Sequence, residues 1–507
     1  VISCGWRTGL CALQAVIGLL PGPACRAADP LPATQASLAY HAGIGRSGNF
    51  TVPSLTWQAA KTLHLDTGFN ATLEGPVYAQ PLYWHPAGGA KPLLIVATEQ
   101  NLVYALDAGT GREAWRKALG KPVPRAALPC GNIDPLGVTG TPVIDERTHA
   151  LYLDAMVGTD SAASPQHLVF ALSLKDGSVL PGWPVNVAEA LRANGQDFVP
   201  KVQNQRGALG IVGNRVYVPY GGHYGDCGDF RGWVVAITLD AKPHASAWST
   251  GARGGGIWAP GGLSSDGSSL FVATGNSIGA RDWSGGESVL RLGLDLGFSR
   301  QPQDFFTPSD WRELDDRDLD LGSVNPALFL LPGATPSALV MALGKDGNAY
   351  LLDRGNLGGV GGALSVTRVA SEPIRTAPAF FPAGNKTMLA FQGRGVDCPA
   401  GQRGDLVVLS IAAGAPPHTS VAWCAAANGR GAPMVTTTDG SRNPIVWILG
   451  AEGDNRLHGY RGDTGAVVFD GGGTTDAMSK IRRFQTLLAA DGRLYVAADR
   501  QLYAFTY

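Results

Sequence analysis

Charge is scarce in this chain. Only 16% of its 507 residues are Asp, Glu, Lys or Arg, and 40 basic against 41 acidic side chains leave a formal net charge of −1. So even a balance casts no broad positive field, which excludes general binding of DNA or RNA. Long apolar runs are scarce too. The stretch "LCALQAVIGLL" (10–20) is too short to span a bilayer, so an integral membrane protein is not expected. Helical periodicity is nearly absent. No C-x-x-C-H marks attached haem, and no grouped Cys and His spacing marks zinc.

What is abundant is Gly, 69 residues or about twice the usual fraction, together with 34 Pro. Disorder is the wrong reading of that excess, because 45% hydrophobic residues and 12 Trp demand a large core. Short strands joined by many turns account for it better. Near the N-terminus, Arg7, the apolar run and the small residues before Ala27 have the layout of an export signal. The expected division is a signal at 1–27, a linker at 28–50 and one domain at 51–507, in a periplasmic or secreted protein. Export leaves Cys130, Cys227, Cys398 and Cys424, an even set that permits two disulfides. Cys398 and Cys424 flank one strand pair, which leaves Cys130 and Cys227 to tie loops of different repeats.

In "LVYALDAGTGREAW" (102–115), Leu102, Tyr104 and Leu106 alternate as in a strand, Asp107 to Gly111 supply turn chemistry, and Trp115 stands on a returning strand. Related segments begin at His167, Gly232, Glu287, Gly347, Gly404, Asn455 and Arg500, which makes eight at spacings of 45 to 65 residues. A second set of strands precedes them, among them "PVYAQPLYW", "VTGTPVIDE" and "IRTAPAFFPAG". Each unit then offers four strands. A lone sheet of that size cannot bury both faces, so eight of them must stack radially and close. The expected fold is all-β: an eight-bladed β-propeller of four-stranded antiparallel blades. The last unit lacks its outer strand, and "SLTWQAAKTLHLD" (54–66) is positioned to supply it and close the ring. Trp115, Trp183, Trp248 and Trp423 sit at comparable places, where each can lie against a neighbouring blade's turn.

The segment "ALDAGTGREAW" resembles the repeat of the pyrroloquinoline quinone (PQQ) propellers, the quinoprotein alcohol dehydrogenase superfamily, and the likeness runs through 50–507. The same repeat occurs in propellers that bind no quinone, such as outer-membrane assembly scaffolds. The resemblance implies a ligand site at one mouth of the central channel. Several inner strands begin with Arg: Arg206, Arg375, Arg430 and the pair Arg482–Arg483, with Arg394 and Lys345 in loops nearby. Such a ring attracts a polyanion like PQQ with its three carboxylates. The alternative is pairing of these Arg with acids across blades.

Four matches in order refine this. "GGGIWAPGG" and "LFVATGN" resemble the segments giving the Trp floor under the quinone and a metal-binding Asn, here Trp258 and Asn276. "DLGSVN" resembles the catalytic segment, in which the Asp stands five residues before an Asn, here Asp320 and Asn325. "LGKDGNAYLLDR" matches the stretch whose Lys or Arg contacts the quinone oxygens, here Lys345. The implied cofactors are PQQ and calcium, a hard cation suited to oxygen ligands from Asn276, Asp320 and Asp229. Asp320 would take the hydroxyl proton of an alcohol or sugar, Lys345 would stabilise the quinone oxygen, and a separate acceptor such as a cytochrome would receive the electrons. Two departures stand out. There is no Cys-Cys pair, and loop 221–233 offers only Asp226 and Asp229 where the family has a metal-binding Glu. These departures motivate the alternative of a cofactor-free propeller serving as a protein- or glycan-binding scaffold.

Overall fold

The structure is a computed structural model and describes residues 36–86, 89–159 and 164–507; the expected signal lies outside them. Eight separate sheets follow one another along the chain. Their innermost strands are Leu82–Trp84, Val143–Asp145, Gly210–Val212, Ser264–Ser265, Ala327–Leu330, Ala379–Ala383, Met434–Thr437 and Leu487–Ala490, which define blades 1 to 8. The consecutive strands of each blade pair antiparallel, as in Leu82–Trp84, Leu93–Ala97, Leu102–Asp107 and Glu113–Ala118 of blade 1, and parallel strands are added at the edges of blades 4 and 7. Each sheet hides both faces against its neighbours. Ile95, Val103 and Ala105 of blade 1, for example, share one cluster with Ile144, Leu151 and Leu153 of blade 2.

The ring closes as the sequence predicts. His64–Leu65 pairs with Thr506 and Phe505, and Ala71–Thr72 pairs with Leu502 and Gln501, giving blade 8 an outer edge from the start of the domain. In the opening hairpin the Asp107 carboxylate accepts hydrogen bonds from the Gly109 and Thr110 backbone and the Thr110 hydroxyl. Trp115 then lies against the turn of blade 2. Its indole N–H donates to Leu174 O at 3.0 Å, and a Cβ on Gly177 would come within 2.6 Å of the ring. Trp423 repeats the arrangement with Gly462 O and Gly465. Trp248 meets Phe298 edge-on, whereas Trp183 packs on Tyr152 of its own blade. Both expected disulfides form, Cys130–Cys227 and Cys398–Cys424.

Residues 37–50, part of the expected linker at 28–50, instead run inside the ring. Ser37 pairs with Tyr83, Leu38 O accepts from Ile144 N–H, Ile44 O from Ser265 N–H and Ser47 O from Phe380 N–H. Asn49–Thr51 finishes as a parallel strand beside Met434–Thr437. This strap crosses the innermost strands of blades 1, 2, 4, 6 and 7 and fills one end of the channel. Tyr40 stacks on His41 with ring centroids 4.2 Å apart and touches Ala208 and Ala377 on opposite walls. A composition free of the repeat reads as a linker; its hydrogen bonds go to strand edges that only the closed ring creates.

Candidate functional site

At the other end, the loops that enter the innermost strands meet the loops that leave the second strands. Trp258 lies on one such entry loop. Gly256 on that loop and Gly221 at the end of a blade 3 strand approach so closely that a Cβ on either would meet the other's Cα at 3.2–3.3 Å. Ile257 N–H donates to Tyr220 O on one side, and Gly275 N–H donates to Gly256 O on the other, so the Trp loop is clamped between blades 3 and 4.

Asn276 stands two residues past the end of the blade 4 strand Ser269–Thr274. Its backbone N–H donates to Asp320 Oδ1 at 2.7 Å. Asp320 is buried at 3% exposure, and its carbonyl accepts from Lys345 N–H and the Ser323 hydroxyl. Gly275 completes the cradle: a Cβ there would stand 2.6 Å from Asp320 Oδ1 and 3.2 Å from the Trp258 indole nitrogen. Lys345 Nζ then lies 2.5 Å from Asp320 Oδ2, 2.7 Å from Asp318 Oδ1 and 5.4 Å from the centre of the Trp258 ring. Burial is the largest single influence and opposes the ammonium's charge, but Asp320 and Asp318 together overcome it and hold Lys345 above the usual lysine value. The structure thus brings Trp258, Asn276, Asp320 and Lys345 together from three loops and one turn.

Acids that the sequence reading passed over surround this group. Glu287 is fully buried, accepts from Leu321 N–H at 2.6 Å, and leaves its second carboxylate oxygen without a partner. Burial, reinforced by the Asp320 charge, raises its pKa well above the ordinary value. Asp315 accepts from Ser277 N–H, and burial pushes it up to about 7. Asp318 takes a left-handed conformation, φ 53°, where the helix Trp311–Arg317 ends, and that turn sends its carboxylate to Lys345. No local motif marks Glu287, which begins an ordinary strand pattern.

Basic residues complete the mouth, and Arg375 lies near enough to Asp318 and Asp320 to feel their charge. The Arg206 guanidinium reaches from blade 3 to the Phe484 ring of blade 8, 5.7 Å from its centre. Burial lowers the pKa of Arg375, and the neighbouring Arg430 charge adds to this. Among the described residues Arg206, Arg375 and Arg430 make no ion pair. Pairing with acids, the alternative reading, holds for the others: Arg482 with Asp499 at 2.6 Å and Arg483 with Glu452 at 2.9 Å. Arg394 turns to the surface and pairs with Glu372, each more than 60% exposed. Asn325 is fully buried beside Gly261, and neither polar atom of its amide has a partner.

The oxygen set expected for calcium is not assembled. Asp229 is exposed and joins none of these contacts. Asp226, at φ 51°, is the loop acid turned toward the group; burial first, then Asp320 and Asp318, raise its pKa. Even so, among the described residues no three or more His, Cys, Asp or Glu side chains gather as a metal ion requires.

Residues 54–148 match a family model described as outer membrane protein assembly factor BamB. No curated protein matches the chain. Among solved structures, a quinohemoprotein alcohol dehydrogenase from Comamonas testosteroni aligns with TM-score 0.60 at 16% identity, covering 93% of this chain and 80% of that one. A quinohemoprotein alcohol dehydrogenase from Pseudomonas putida HK5 aligns with TM-score 0.65 at 14% identity, with the same coverage. A europium-containing methanol dehydrogenase aligns with TM-score 0.61 at 14% identity, covering 93% and 98%. At such identities the likeness is one of fold. No described helix is long and apolar enough to cross a membrane.

Proposed function

Starting from a PQQ-type eight-bladed propeller, we propose that the open mouth binds PQQ and that the protein oxidises an alcohol or sugar, as an exported dehydrogenase that passes electrons to a separate acceptor. The observation that carries this reading is the convergence of Trp258, Asn276, Asp320 and Lys345 at a mouth that also holds three guanidinium groups without an ion-pair partner among the described residues. Arg375 and Arg430 are exposed and Arg206 is half-buried, so their unpaired charges are solvated and remain available to an anionic ligand. A flat molecule with three carboxylates suits them: Arg206, Arg375 and Arg430 meet the acid groups, and the Trp258 face supplies an aromatic platform. The two disulfides support export.

PQQ, when bound, supplies the two-electron acceptor for the hydrogen leaving the substrate carbon. Asp320 takes the proton of the substrate hydroxyl, so carbon and oxygen together give up two electrons and two hydrogens and a carbonyl results. Lys345, paired with Asp320 and Asp318, would supply the positive charge that stabilises a quinone oxygen as it becomes electron-rich. Asn276 N–H and the Gly275 cradle fix the direction of the Asp320 carboxylate.

Incubation of the protein with PQQ tests this reading. Quenching of Trp fluorescence, and reduction of an artificial electron acceptor with some primary alcohol or aldose, are expected. A protein that takes up no quinone with or without calcium leaves the second reading, a binding scaffold, which the match of residues 54–148 to an assembly factor favours.

A further inference from the structure

The disagreement between this donor set and a calcium site has its own explanation. Each oxygen of the Asp320 carboxylate already has one strong partner: one accepts from Asn276 N–H at 2.7 Å, and the other holds Lys345 Nζ at 2.5 Å. The same ammonium reaches Asp318 at 2.7 Å and stands over the Trp258 face, with its side chain only 11% exposed. An ammonium offers three donors and needs no more than these three partners. A hard divalent ion needs six to eight oxygens. Here it would have to share Asp320 with a tethered positive charge, in a site where no third acid comes close enough. Lys345 is also fixed through its backbone, whose N–H donates to the Asp320 carbonyl, so its side chain starts beside the carboxylate it neutralises.

We propose that the Lys345 ammonium occupies the cation position of this mouth, between Asp318, Asp320 and the Trp258 ring, so that the site works without a divalent metal and excludes one. The part concerning quinone rests on the reading above; the exclusion of metal does not.

Terbium(III) is the probe, because Trp258 beside the site sensitises its emission. Wild-type protein is expected to give no Trp-sensitised emission that Asp320→Asn removes. Lys345→Met frees the Asp318 and Asp320 carboxylates together, and is expected to gain a terbium site at least about tenfold tighter than any wild-type binding. Lys345→Arg keeps the charge and is expected to remain dark, which also guards against a misfolded Met variant. Wild-type binding that Asp320→Asn abolishes overturns the proposal. So does a folded Lys345→Met variant that gains nothing, since the ammonium would then not be what excludes the ion. In a second arm, PQQ quenching of Trp fluorescence is followed with EDTA and with calcium. Equal affinity is expected, and binding that requires calcium overturns the proposal. If PQQ fails to bind in both, the quinone reading falls while the terbium result still decides the cation.

Discussion

Arg46 and Lys345 are buried cations of one channel, and the fold treats them in opposite ways. Arg46, on the strap at the closed end, is fully buried with no acid beside it. Its guanidinium donates to the carbonyls of Leu263 at 3.0 Å, Tyr40 at 3.1 Å and Leu209 at 2.8 Å, with Gly43 and Ala208 farther off. Burial pulls its pKa down to about 9, which leaves it charged at neutral pH. Lys345, at the open end, is met by carboxylates and an aromatic face, and Arg206, Arg375 and Arg430 share that mouth without ion pairs. Backbone dipoles satisfy a charge permanently, because the strands that carry them cannot turn away. Side-chain acids and open rims leave charge available to a ligand. One cation belongs to architecture, the others to function.

That contrast breaks most visibly if Arg46 is removed. Arg46→Leu strands three well-placed carbonyls in a closed interior, each worth about 1–3 kcal/mol when unsatisfied, so a loss of about 5 kcal/mol is expected in urea unfolding. Arg430→Leu at the mouth should leave the urea midpoint nearly unchanged. Equal effects from the two variants would erase the distinction between the ends.

The next largest effect concerns chemistry alone. Asp320→Asn keeps an oxygen for the Asn276 N–H, yet loses the proton acceptor. PQQ uptake should persist, while turnover of the loaded protein falls about a hundredfold or more. Intact turnover would remove Asp320 from its role without touching the binding argument. A smaller effect is expected from Arg375→Ala combined with Arg430→Ala. Losing two charge-assisted contacts should weaken PQQ binding by at least about tenfold in a fluorescence titration, with thermal stability preserved.

The blades were legible because each hairpin carries its own local evidence: alternation, an Asp–Gly turn and often a Trp. Trp258, Asn276, Asp320 and Lys345 were legible through short motifs in a fixed order, and each is held by backbone contacts next to itself. What escaped depends on distant chain. The strap at 37–51 finds partners in five blades and has no repeat of its own. Glu287 acts on Leu321, thirty-four residues away, through a carboxylate that looks like the start of a strand. Choosing between Asp226 and Asp229 required the left-handed backbone at Asp226, which a Gly-rich loop hides. Arg394 was drawn into the ring by its position, but Glu372 draws it outward.

The finest form of the comparison is its pH dependence. At the closed end His41 is pushed down to about 3 by burial, helped by the Arg46 charge, so neither strap group titrates around neutrality. At the mouth, Glu99 accepts from Gly137 N–H at 2.7 Å and the Thr139 hydroxyl at 2.8 Å, yet burial still raises it from 4.5 to about 7. A carboxyl whose pKa is higher in the folded state binds its proton more tightly there than in the unfolded chain. Its contribution is therefore fully present below 4.5 and is lost as pH rises through about 7. Thermal midpoints of the wild type should fall over that interval relative to those of a variant whose residue 99 cannot ionise. Glu99→Gln keeps an amide oxygen for Gly137 and cannot ionise, so its curve should fall less. Arg46→Lys, if it folds, should run parallel to the wild type across the same range. Parallel curves for wild type and Glu99→Gln would mean that the mouth screens its acids as completely as the strap screens its cation.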